Sequence, residues 1–325
     1  MNVVRARAVA CGHFLPERIV TNDELAERID TSDEWIRTRT GIHQRHIAAE
    51  GETTSDLAVA AARDALDRGG FESSDIDAIV LATATPDYTF PSTATRVQNA
   101  LGMRAGFAFD LHAVCAGFIY ALANANGMIV SGMARRVMVV GSETFSRILD
   151  WNDRATCVLF GDGAGAVILE AAEGDGSPAD RGILGTCLHS DGAYHDILYV
   201  SGGPSTTRQA GYVQMAGREV FRHAVVKLAE VADEVMEKVG VTSAEVDWIV
   251  PHQANLRIIE STAKKAGVSM NKVVVTVQDH GNTSAASIPL ALSIAVQDER
   301  IQPGNLLLME AIGGGLAWGS ALLRW

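Results

Sequence analysis

The chain has 325 residues, of which 47% are hydrophobic and 20% are charged, with 31 Gly and 8 Pro. This balance is typical of globular proteins and excludes a disordered or collagen-like chain, and the length allows about two domains. The 27 Lys and Arg against 39 Asp and Glu give a net charge of −12. Such a charge argues against a nucleic-acid-binding protein, whose binding surface is usually basic.

Cysteine spacing and hydropathy argue against export, a structural metal and a membrane span. The four cysteines have no CxxC or zinc-finger spacing, so we expect neither a metal site nor a disulfide framework; they are Cys11, Cys115, Cys157 and Cys187. The first residues carry only a short apolar run broken by charges, which does not suit a signal peptide. No segment approaches about 18 consecutive apolar residues. These patterns predict a cytoplasmic protein.

In chain order, the hydrophobic periodicity predicts alternating helices and short, β-branched strands. In the first half these are helix 56–68, strand 77–83, strand 107–114, helix 116–128 and strand 134–143. An acidic segment rich in Gly, Ser and Pro, 170–181, has the composition of a linker. The alternation then resumes with helix 217–239, strand 247–250, helix 285–296 and strand 304–313.

The two halves carry a short internal repeat. GGFESSDIDAIV (69–80) aligns without gaps with VGVTSAEVDWIV (239–250), at an offset of 240 − 70 = 170 residues. The order of elements around the two segments also repeats, so we expect a duplication with domains 1–170 and 171–325. Each half should form a mostly parallel sheet covered on both faces, with the strand ends of both halves meeting at one pocket.

Cys115 is the cysteine whose position suits a nucleophile. It lies where predicted strand 107–114 turns into predicted helix 116–128. A helix N-terminus favours the thiolate and lowers the pKa of the thiol, and Gly117 allows another group to approach closely. The alternative is that Cys115, like the other three cysteines, is a small buried hydrophobic residue.

The second half contains possible partners for this cysteine. His252, in PHQAN, follows a predicted strand, and Asn282, in HGNTSAAS, opens a predicted helix. Each has an ordinary alternative, a satisfied buried polar group for His252 and an N-cap for Asn282. The final glycine run, 313–315, is either a tight turn or a set of N–H donors suited to an oxyanion.

Eight motifs in a fixed order relate the chain to a known family. They are DTSDEWIRTRTGI (30–42), RHIA (45–48), TPDYTFPSTA (85–94), VCAGF (114–118), FGDGAGA (160–166), VPHQANLRII (250–259), HGNTSAAS (280–287) and GGGLAWGSALLRW (313–325). In these motifs the chain resembles the thiolase-like condensing enzymes, most closely the β-ketoacyl-[acyl-carrier-protein] synthase III family. The resemblance implies an α/β, thiolase-like fold of two similar halves related by a pseudo-dyad and layered α-β-α-β-α.

The resemblance also implies an acyltransferase that starts type II fatty-acid synthesis by a decarboxylative Claisen condensation. Cys115 would accept the acyl group of acetyl-CoA or a similar primer, with the N–H groups of Cys115 and Gly314 as the oxyanion hole. Malonyl-acyl-carrier protein would then lose carbon dioxide, and the His252 Nε2 and Asn282 amide would stabilise its enolate. Neither a metal nor a redox cofactor is implied.

The same resemblance implies binding roles for further residues. Those matched to coenzyme A contacts are Thr31, Trp35, Arg39, Arg154, Gly217, Phe221 and Asn255. Those matched to the acyl pocket are Phe90, Ile312 and Leu316, and Phe90 would reach the pocket of a partner subunit, which implies a homodimer. Without the family, Trp35 is best interpreted as a half-buried surface aromatic residue.

A local cluster of positive charge suits an acidic carrier protein in spite of the net negative charge. Helical spacing places Arg257, Lys264 and Lys265 on one face of the helix after PHQAN, with Arg218 and Arg222 four residues apart on another helix. The alternative for each of these charges is an ordinary solvated helix face.

Two other functions fit part of the sequence. A papain-like cysteine hydrolase shares the order Cys, His, Asn and the gap of 252 − 115 = 137 residues, but it would leave the internal repeat without an explanation. A catalytically silent carrier-binding homologue is the third hypothesis, and the intact Cys115, His252 and Asn282 argue against it.

Overall fold

The computed structural model describes residues 2–325. The strands are β1 (Val3–Phe14), β2 (Arg18–Thr21), β3 (Gln44–Ile47), β4 (Ala78–Ala82), β5 (Phe107–Leu111), β6 (Arg136–Glu143), β7 (Gly163–Gly174), β8 (Gly182–Ser190), β9 (Leu198–Val200), β10 (Val213–Met215), β11 (Trp248–Pro251), β12 (Leu306–Gly313) and β13 (Ala317–Arg324). The helices are α1 (Asn22–Ala26), α2 (Asp33–Thr40), α3 (Thr54–Gly69), α4 (Thr93–Ala100), α5 (Gly117–Val130), α6 (Gly217–Val239), α7 (Leu256–Lys265), α8 (Val277–His280) and α9 (Ser287–Gln297).

Two large sheets and three helical layers alternate, and β2-β3 and β9-β10 form two further two-stranded sheets. The first sheet has the order β1-β7-β6-β4-β5 and the second has the order β11-β12-β13-β8. Helices α5 and α9 pack between the sheets, α3 covers the other face of the first sheet, and α6 covers the other face of the second. The predicted α/β class and the α-β-α-β-α layering are therefore confirmed.

Strand β6 illustrates why both faces of each sheet are apolar. Val137 and Val139 face the central helices, whereas Met138 and Val140 face α3, as the two-residue period of a strand requires. A sheet covered on both sides needs a continuous apolar run. Likewise α5 and α9 are apolar on nearly every face because they lie between two sheets.

The prediction of mostly parallel sheets is wrong. Strand β4 is parallel to β5 and β6, but β7 is antiparallel to β6 and β1 is antiparallel to β7. In the second sheet only β11 and β12 are parallel. A parallel pair needs a long crossover, usually a helix, and the chain returns from β6 to β7 without an α-helix.

Two predicted segments also differ in extent. Strand β5 ends at Leu111 and is only partly buried, because it is the edge strand of its sheet. The predicted linker 170–181 is shortened, because β7 continues to Gly174. Within this strand the Glu170 side chain forms an ion pair with Arg136 of β6. Residue 170 thus lies inside β7, and the division into 1–170 and 171–325 stays a prediction. In the second half, a strand corresponding to β5 is reduced to one bridge between Ile249 and Val273.

The offset of 170 residues extends well beyond the short sequence repeat. It relates the first residues of β4 and β11 (248 − 78), of β6 and β12 (306 − 136), and of α5 and α9 (287 − 117). Equivalent carboxylates repeat the same contact, since Asp77 accepts the N–H of Arg136 and Asp247 accepts the N–H of Leu306. The two halves therefore share backbone detail as well as element order.

Two equivalent turns meet where the halves join. The 3-10 turns Val114–Ala116 and Ser284–Ala286 precede α5 and α9, and each begins with a non-glycine residue at positive φ, 48° and 50°. Such a conformation is uncommon outside glycine and often occurs at functional sites. The turns pack on each other, and each also packs on the strand of the other half, β12 or β6.

Glycines make this reciprocal packing possible. A Cβ at Gly313 would lie 2.7 Å from the backbone nitrogen of Cys115, and a Cβ at Gly141 would lie 2.3 Å from the carbonyl oxygen of Ala285. Both contacts are with backbone atoms, so neither turn can give way by a side-chain rotation. The turn that carries Cys115 is thus held by a strand from the second half.

Candidate active site

Cys115 lies in the turn before α5, and its side chain is buried. The expected lowering of its pKa is wrong for this structure. Burial raises the pKa of the Cys115 thiol to about 12, the neighbouring Ser284 hydroxyl opposes the shift, and the Glu143 carboxyl adds to it. Desolvation therefore outweighs the favourable position at the start of a helix.

His252 follows β11 directly and is also buried. Its backbone N–H donates to the Glu310 carbonyl at 2.8 Å, and its Nδ1 lies 2.6 Å from Ser287 Oγ. Burial lowers the pKa of the imidazole to about 3, so His252 is neutral near pH 7. Nε2 makes no hydrogen bond with any group in residues 2–325.

Asn282 combines the two roles that the sequence left open. Its backbone N–H donates to the Leu159 carbonyl at 2.8 Å, which ties it to the first half. Its Oδ1 accepts the backbone N–H of Ser284 at 2.9 Å and so caps the turn before α9. Within the described part of the chain, Nδ2 has no hydrogen-bond acceptor and stays free for a ligand.

Contacts through two serines connect the three candidate residues. Ser284 is capped by Asn282 and lies beside the Cys115 thiol, while Ser287, three residues further on, bonds to His252. Residues 115, 252 and 282 are thus gathered around the junction of the two turns. A thiol, a neutral imidazole and a free amide at one site suit covalent acyl transfer followed by stabilisation of a negative oxygen.

A buried carboxyl beside Cys115 is absent from the sequence-based prediction. Glu143, at the end of β6, accepts bonds from the Ala84 N–H and from the hydroxyls of Thr83 and Thr85, the last at 2.6 Å. Burial raises its pKa to about 7, and these donors oppose the shift. Its position at the carboxyl end of a central strand was the only available signal.

The candidate nucleotide-binding residues form a cationic cluster around Trp35. The guanidinium carbons of Arg39 and Arg154 lie 5.9 and 4.9 Å from the indole ring centroid. Arg154 is held by a bond to the Asp30 carbonyl at 2.7 Å. The Thr31 Oγ1 is buried and has no partner among residues 2–325. Two arginines and an unpaired hydroxyl suit phosphate groups next to an aromatic base.

The remaining coenzyme A candidates lie at the starts of α6 and α7. Gly217 is the first residue of α6, and Phe221 follows one turn later with the Arg257 guanidinium 5.7 Å from its ring centroid. Asn255 caps α7 by accepting the Arg257 N–H at 2.9 Å and donates to the Arg39 carbonyl at 3.3 Å. Asn255 therefore links this region to the cluster around Trp35.

Two of the three acyl-pocket candidates lie together. Ile312 and Leu316 are buried in one apolar cluster with Ile197, Ala224 and Leu228. Phe90 is 83% exposed and does not belong to that cluster.

Gly314, the candidate oxyanion donor, packs closely on the backbone of Leu198. A Cβ added at Gly314 would lie 2.6 Å from the Leu198 carbonyl oxygen. Gly313, grouped with Gly314 in the final glycine run of the sequence, is the glycine against the Cys115 backbone.

The five basic residues of the predicted patch are exposed on two helices that pack against each other. Three are near the helix starts and two are at the end of α7: Arg218, Arg222, Arg257, Lys264 and Lys265.

The other cysteines are buried, and burial raises the pKa of each. Across residues 2–325, no three His, Cys, Asp or Glu side chains are grouped to hold a metal ion. None of the helices in this range has both the length and the apolar character that crossing a bilayer requires.

Comparison with known proteins identifies close relatives. The family profiles for 3-oxoacyl-[acyl-carrier-protein (ACP)] synthase III and for its C-terminal region match residues 109–192 and 236–325. The β-ketoacyl-[acyl-carrier-protein] synthase III of Jannaschia sp. is 64% identical over 325 residues, covering 99% of this chain and all of its own.

Solved structures give the same result. The 3-oxoacyl-[acyl-carrier-protein] synthase III from Aquifex aeolicus is 45% identical, with a TM-score of 0.93 over 98% of this chain and 100% of its own. The priming β-ketosynthase of the R1128 polyketide biosynthetic pathway is 35% identical, with a TM-score of 0.92 over 99% of this chain and 96% of its own.

Proposed function

The chain belongs to the β-ketoacyl-[acyl-carrier-protein] synthase III family, and on that premise we propose how its residues divide the reaction. The enzyme is an acyltransferase that condenses an acyl-CoA primer with malonyl-acyl-carrier protein and starts type II fatty-acid synthesis. Membership also removes the papain-like hydrolase hypothesis. The observation that carries our proposal is the gathering of Cys115, His252 and Asn282 at the junction of the two turns.

In the first half-reaction, the sulfur of Cys115 attacks the thioester carbonyl of the primer. The carbon–sulfur bond to coenzyme A breaks, and the proton of the Cys115 thiol leaves with coenzyme A as its free thiol. The backbone N–H groups of Cys115 and Gly314 stabilise the tetrahedral oxyanion. Because the thiol is desolvated and its pKa is raised, we expect thiolate formation to depend on the bound primer rather than to precede it.

In the second half-reaction, malonyl-acyl-carrier protein loses carbon dioxide and its thioester becomes an enolate. His252 Nε2 and Asn282 Nδ2 donate hydrogen bonds to the enolate oxygen, and both atoms lack another partner in residues 2–325. The enolate carbon attacks the acyl-Cys115 carbonyl. The bond to sulfur then breaks, releasing 3-oxoacyl-acyl-carrier protein and a Cys115 thiolate that takes a proton from solvent.

We propose acetyl-CoA as the primer. Trp35 stacks on the adenine, Thr31, Arg39 and Arg154 contact the nucleotide phosphates, and the pantetheine arm passes Gly217, Phe221 and Asn255. Ile312 and Leu316 line the end of the acyl pocket. A panel of acetyl, propionyl, isobutyryl and hexanoyl CoA tests this assignment, and a preference for any of the longer primers contradicts it.

For the carrier protein, we propose docking on the exposed basic patch of α6 and α7. Its residues are Arg218, Arg222, Arg257, Lys264 and Lys265. Complementary charge raises the rate of encounter and weakens with salt. Arg257, which lies over Phe221, would place the carrier beside the pantetheine path.

We also propose a homodimer that acts in the cytoplasm. Strand β5 is an unpaired sheet edge, and large apolar side chains near it are exposed, including Phe107 at 37% and Phe90 at 83%. Such features favour association. In a dimer Phe90 would enter the acyl pocket of the partner. Light scattering coupled to size exclusion tests the dimer, and a monomeric mass at micromolar concentration contradicts it.

One assay tests the catalytic proposal as a whole. The chain is mixed with acetyl-CoA and malonyl-acyl-carrier protein, and carbon dioxide, free coenzyme A and 3-oxoacyl-acyl-carrier protein are measured together with the mass of the intact chain. We expect an acetyl adduct on Cys115 and the three products in equal amounts. Carrier binding without adduct or products would instead indicate a catalytically silent homologue.

A further inference from the structure

The hydrogen bond between Ser287 and His252 has a direction that the surrounding groups determine. Ser287 Oγ lies 2.6 Å from His252 Nδ1 and accepts the backbone N–H of Gln253 at 3.3 Å. Both side chains are buried, with 2% and 5% of their surface exposed. No other polar group in residues 2–325 bonds to this hydroxyl.

The serine proton has one available acceptor. The Gln253 N–H can only donate, so it cannot receive the hydroxyl proton. If His252 carried its proton on Nδ1, the serine oxygen would accept two N–H donors and its own O–H would be buried without an acceptor. Buried donors are rarely left unpaired. The favourable arrangement is therefore Ser287 O–H donating to an unprotonated Nδ1.

We propose that Ser287 is a positioning residue: its hydroxyl holds His252 in the Nε2–H tautomer and so makes the imidazole a hydrogen-bond donor to the enolate oxygen. In a neutral imidazole only one nitrogen carries a proton, and the partner of the other nitrogen decides which one. His252 is neutral because burial lowers its pKa. The proposal rests on the role of His252 proposed above.

The first half of the chain supplies an internal reference for this contact. The positions equivalent to His252 and Ser287 are Ala82 (252 − 82 = 170) and Gly117 (287 − 117 = 170). They also meet, since a Cβ at Gly117 would lie 3.0 Å from the Ala82 Cβ. The fold thus forms the same strand–helix contact with no hydroxyl. The hydroxyl at 287 is required by His252 and not by the packing of the turn.

The tautomer of the wild-type chain is the first test. Histidine labelled with 15N in the full chain is studied by long-range proton–nitrogen correlation, with His252→Gln used to assign the signals. We expect a protonated Nε2 and an unprotonated Nδ1 across the range from about pH 6 to 8. A protonated Nδ1 would overturn the proposal without bearing on whether the chain condenses acyl groups.

Kinetics of the two half-reactions provide the second test. Ser287→Ala should slow decarboxylation and condensation at least tenfold while changing the acylation of Cys115 by less than threefold. Ser287→Thr, which keeps the donor, should recover most of the lost rate. Ser293→Ala is the matched control, because Ser293 is buried on the same helix and bonds to His13 Nδ1 at 3.0 Å, away from the site.

The outcomes are distinguishable. Equal losses in both half-reactions, or a Ser293→Ala variant as slow as Ser287→Ala, would show a structural effect and overturn the positioning role. A wild-type chain that condenses no primer would contradict the proposed function, and the tautomer measurement would still decide the assignment of Ser287.

Discussion

The turn before α5 and the turn before α9 have the same backbone conformation, but equivalent positions in and around them carry different side chains. Cys115 and Ala285 are equivalent (285 − 115 = 170), as are Ala82 and His252 (252 − 82 = 170). The first half therefore carries the thiol of Cys115 where the second has a methyl group, and the second carries the imidazole of His252 where the first has a methyl group. The repeat provides two sets of strand ends, and in the proposed mechanism each half performs a different part of the reaction.

The two strands that end at this junction differ in a similar way. Strand β6 ends in the buried carboxyl of Glu143, whereas β12 has Gly313 at the equivalent position (313 − 143 = 170). The carboxyl is held by donors from its own half, while the glycine leaves room for the Cys115 backbone. A shared backbone thus does not imply shared function. The following experiments test this division between the halves.

Replacing the proposed nucleophile should have the largest effect. Cys115→Ser should lower acyl transfer by about 10³-fold or more, because a neutral hydroxyl is a much weaker nucleophile. Intact-mass spectrometry of the chain after exposure to acetyl-CoA measures the adduct. Cys187→Ser, which alters a buried cysteine of the second sheet, is the control and should be acylated like wild type. Equal acylation of Cys115→Ser would refute the assignment.

The donors of the second half should affect only the second half-reaction. His252→Ala and Asn282→Ala should each slow decarboxylation of malonyl-acyl-carrier protein by about 10²–10³-fold, the usual effect of removing one oxyanion donor. Acylation of Cys115 should change little. Release of carbon dioxide and formation of the acetyl adduct are measured separately. Similar losses in both steps would contradict the division of work between the halves.

A buried carboxyl in β12 should make stability depend on pH. Glu310 stands where the first half has Val140 (310 − 140 = 170), and burial raises its pKa to about 8. The folded chain then holds this proton more tightly than the unfolded chain. The associated stability is present below about pH 4.5 and is lost as the pH rises towards 8.

The variant Glu310→Gln removes the part of the pH dependence of stability that comes from this carboxyl. Its free energy of unfolding relative to wild type should increase by a few kcal/mol between about pH 5 and pH 8.5, since one pKa unit corresponds to about 1.4 kcal/mol. Urea unfolding at the two pH values measures the change. The control Glu260→Gln, an exposed residue of α7, should follow wild type at both. A constant difference for Glu310→Gln would mean that this carboxyl does not titrate on unfolding.

The contact between β12 and the Cys115 turn should tolerate no side chain. Gly313→Ala should destabilise the chain by about 1–3 kcal/mol, because the added Cβ meets backbone atoms, and acylation should slow with it. Gly127→Ala on α5 is the control, as nothing lies within 4 Å of its added Cβ, and it should be neutral or stabilising. Thermal melting and the acylation rate report both effects, and an unchanged Gly313→Ala would show that the turn can move.

The smallest effect is expected at the surface. Lys264→Glu should raise KM for malonyl-acyl-carrier protein by about three- to tenfold at low salt and leave KM for acetyl-CoA unchanged. Arg104→Glu makes the same charge change at an exposed residue of the first half and should leave both constants unchanged. If both variants raise the carrier KM equally, net charge rather than the patch is responsible.

Many of the elements could be predicted because local pattern determines them. Helix α6 has its predicted bounds, and α3 begins with the capping box of Thr53 and Asp56 and ends before Gly70 at positive φ. Strands β1 and β7 were not predicted, and the expectation of mostly parallel sheets was wrong because both pair in antiparallel fashion. An apolar run has the same pattern in parallel and antiparallel sheets. Strand β5 was predicted as a buried strand reaching residue 114, but it ends at Leu111 and is only partly buried. Its exposure follows from its place at the sheet edge, which is a tertiary feature.

For the candidate site, too, the sequence predicts only what local pattern determines. The motifs around Cys115, His252 and Asn282 mark these residues in the sequence, since each follows or opens a regular element. Glu143 and Ser287 were missed because a Glu and a Ser next to apolar segments have many ordinary roles, and Gly313 was noted only as part of the final glycine run. Their importance depends on which residues lie opposite, and that is a property of tertiary contacts.

The sequence by itself determined the α/β class, the internal repeat and the family, because these follow from hydrophobic periodicity and ordered motifs. Only the tertiary structure decided the electrostatic state of the site. The pKa of Cys115 is raised and that of His252 is lowered by burial, which arises when two distant segments exclude water from each other. Desolvation depends on everything packed around a group, and no local sequence pattern records it.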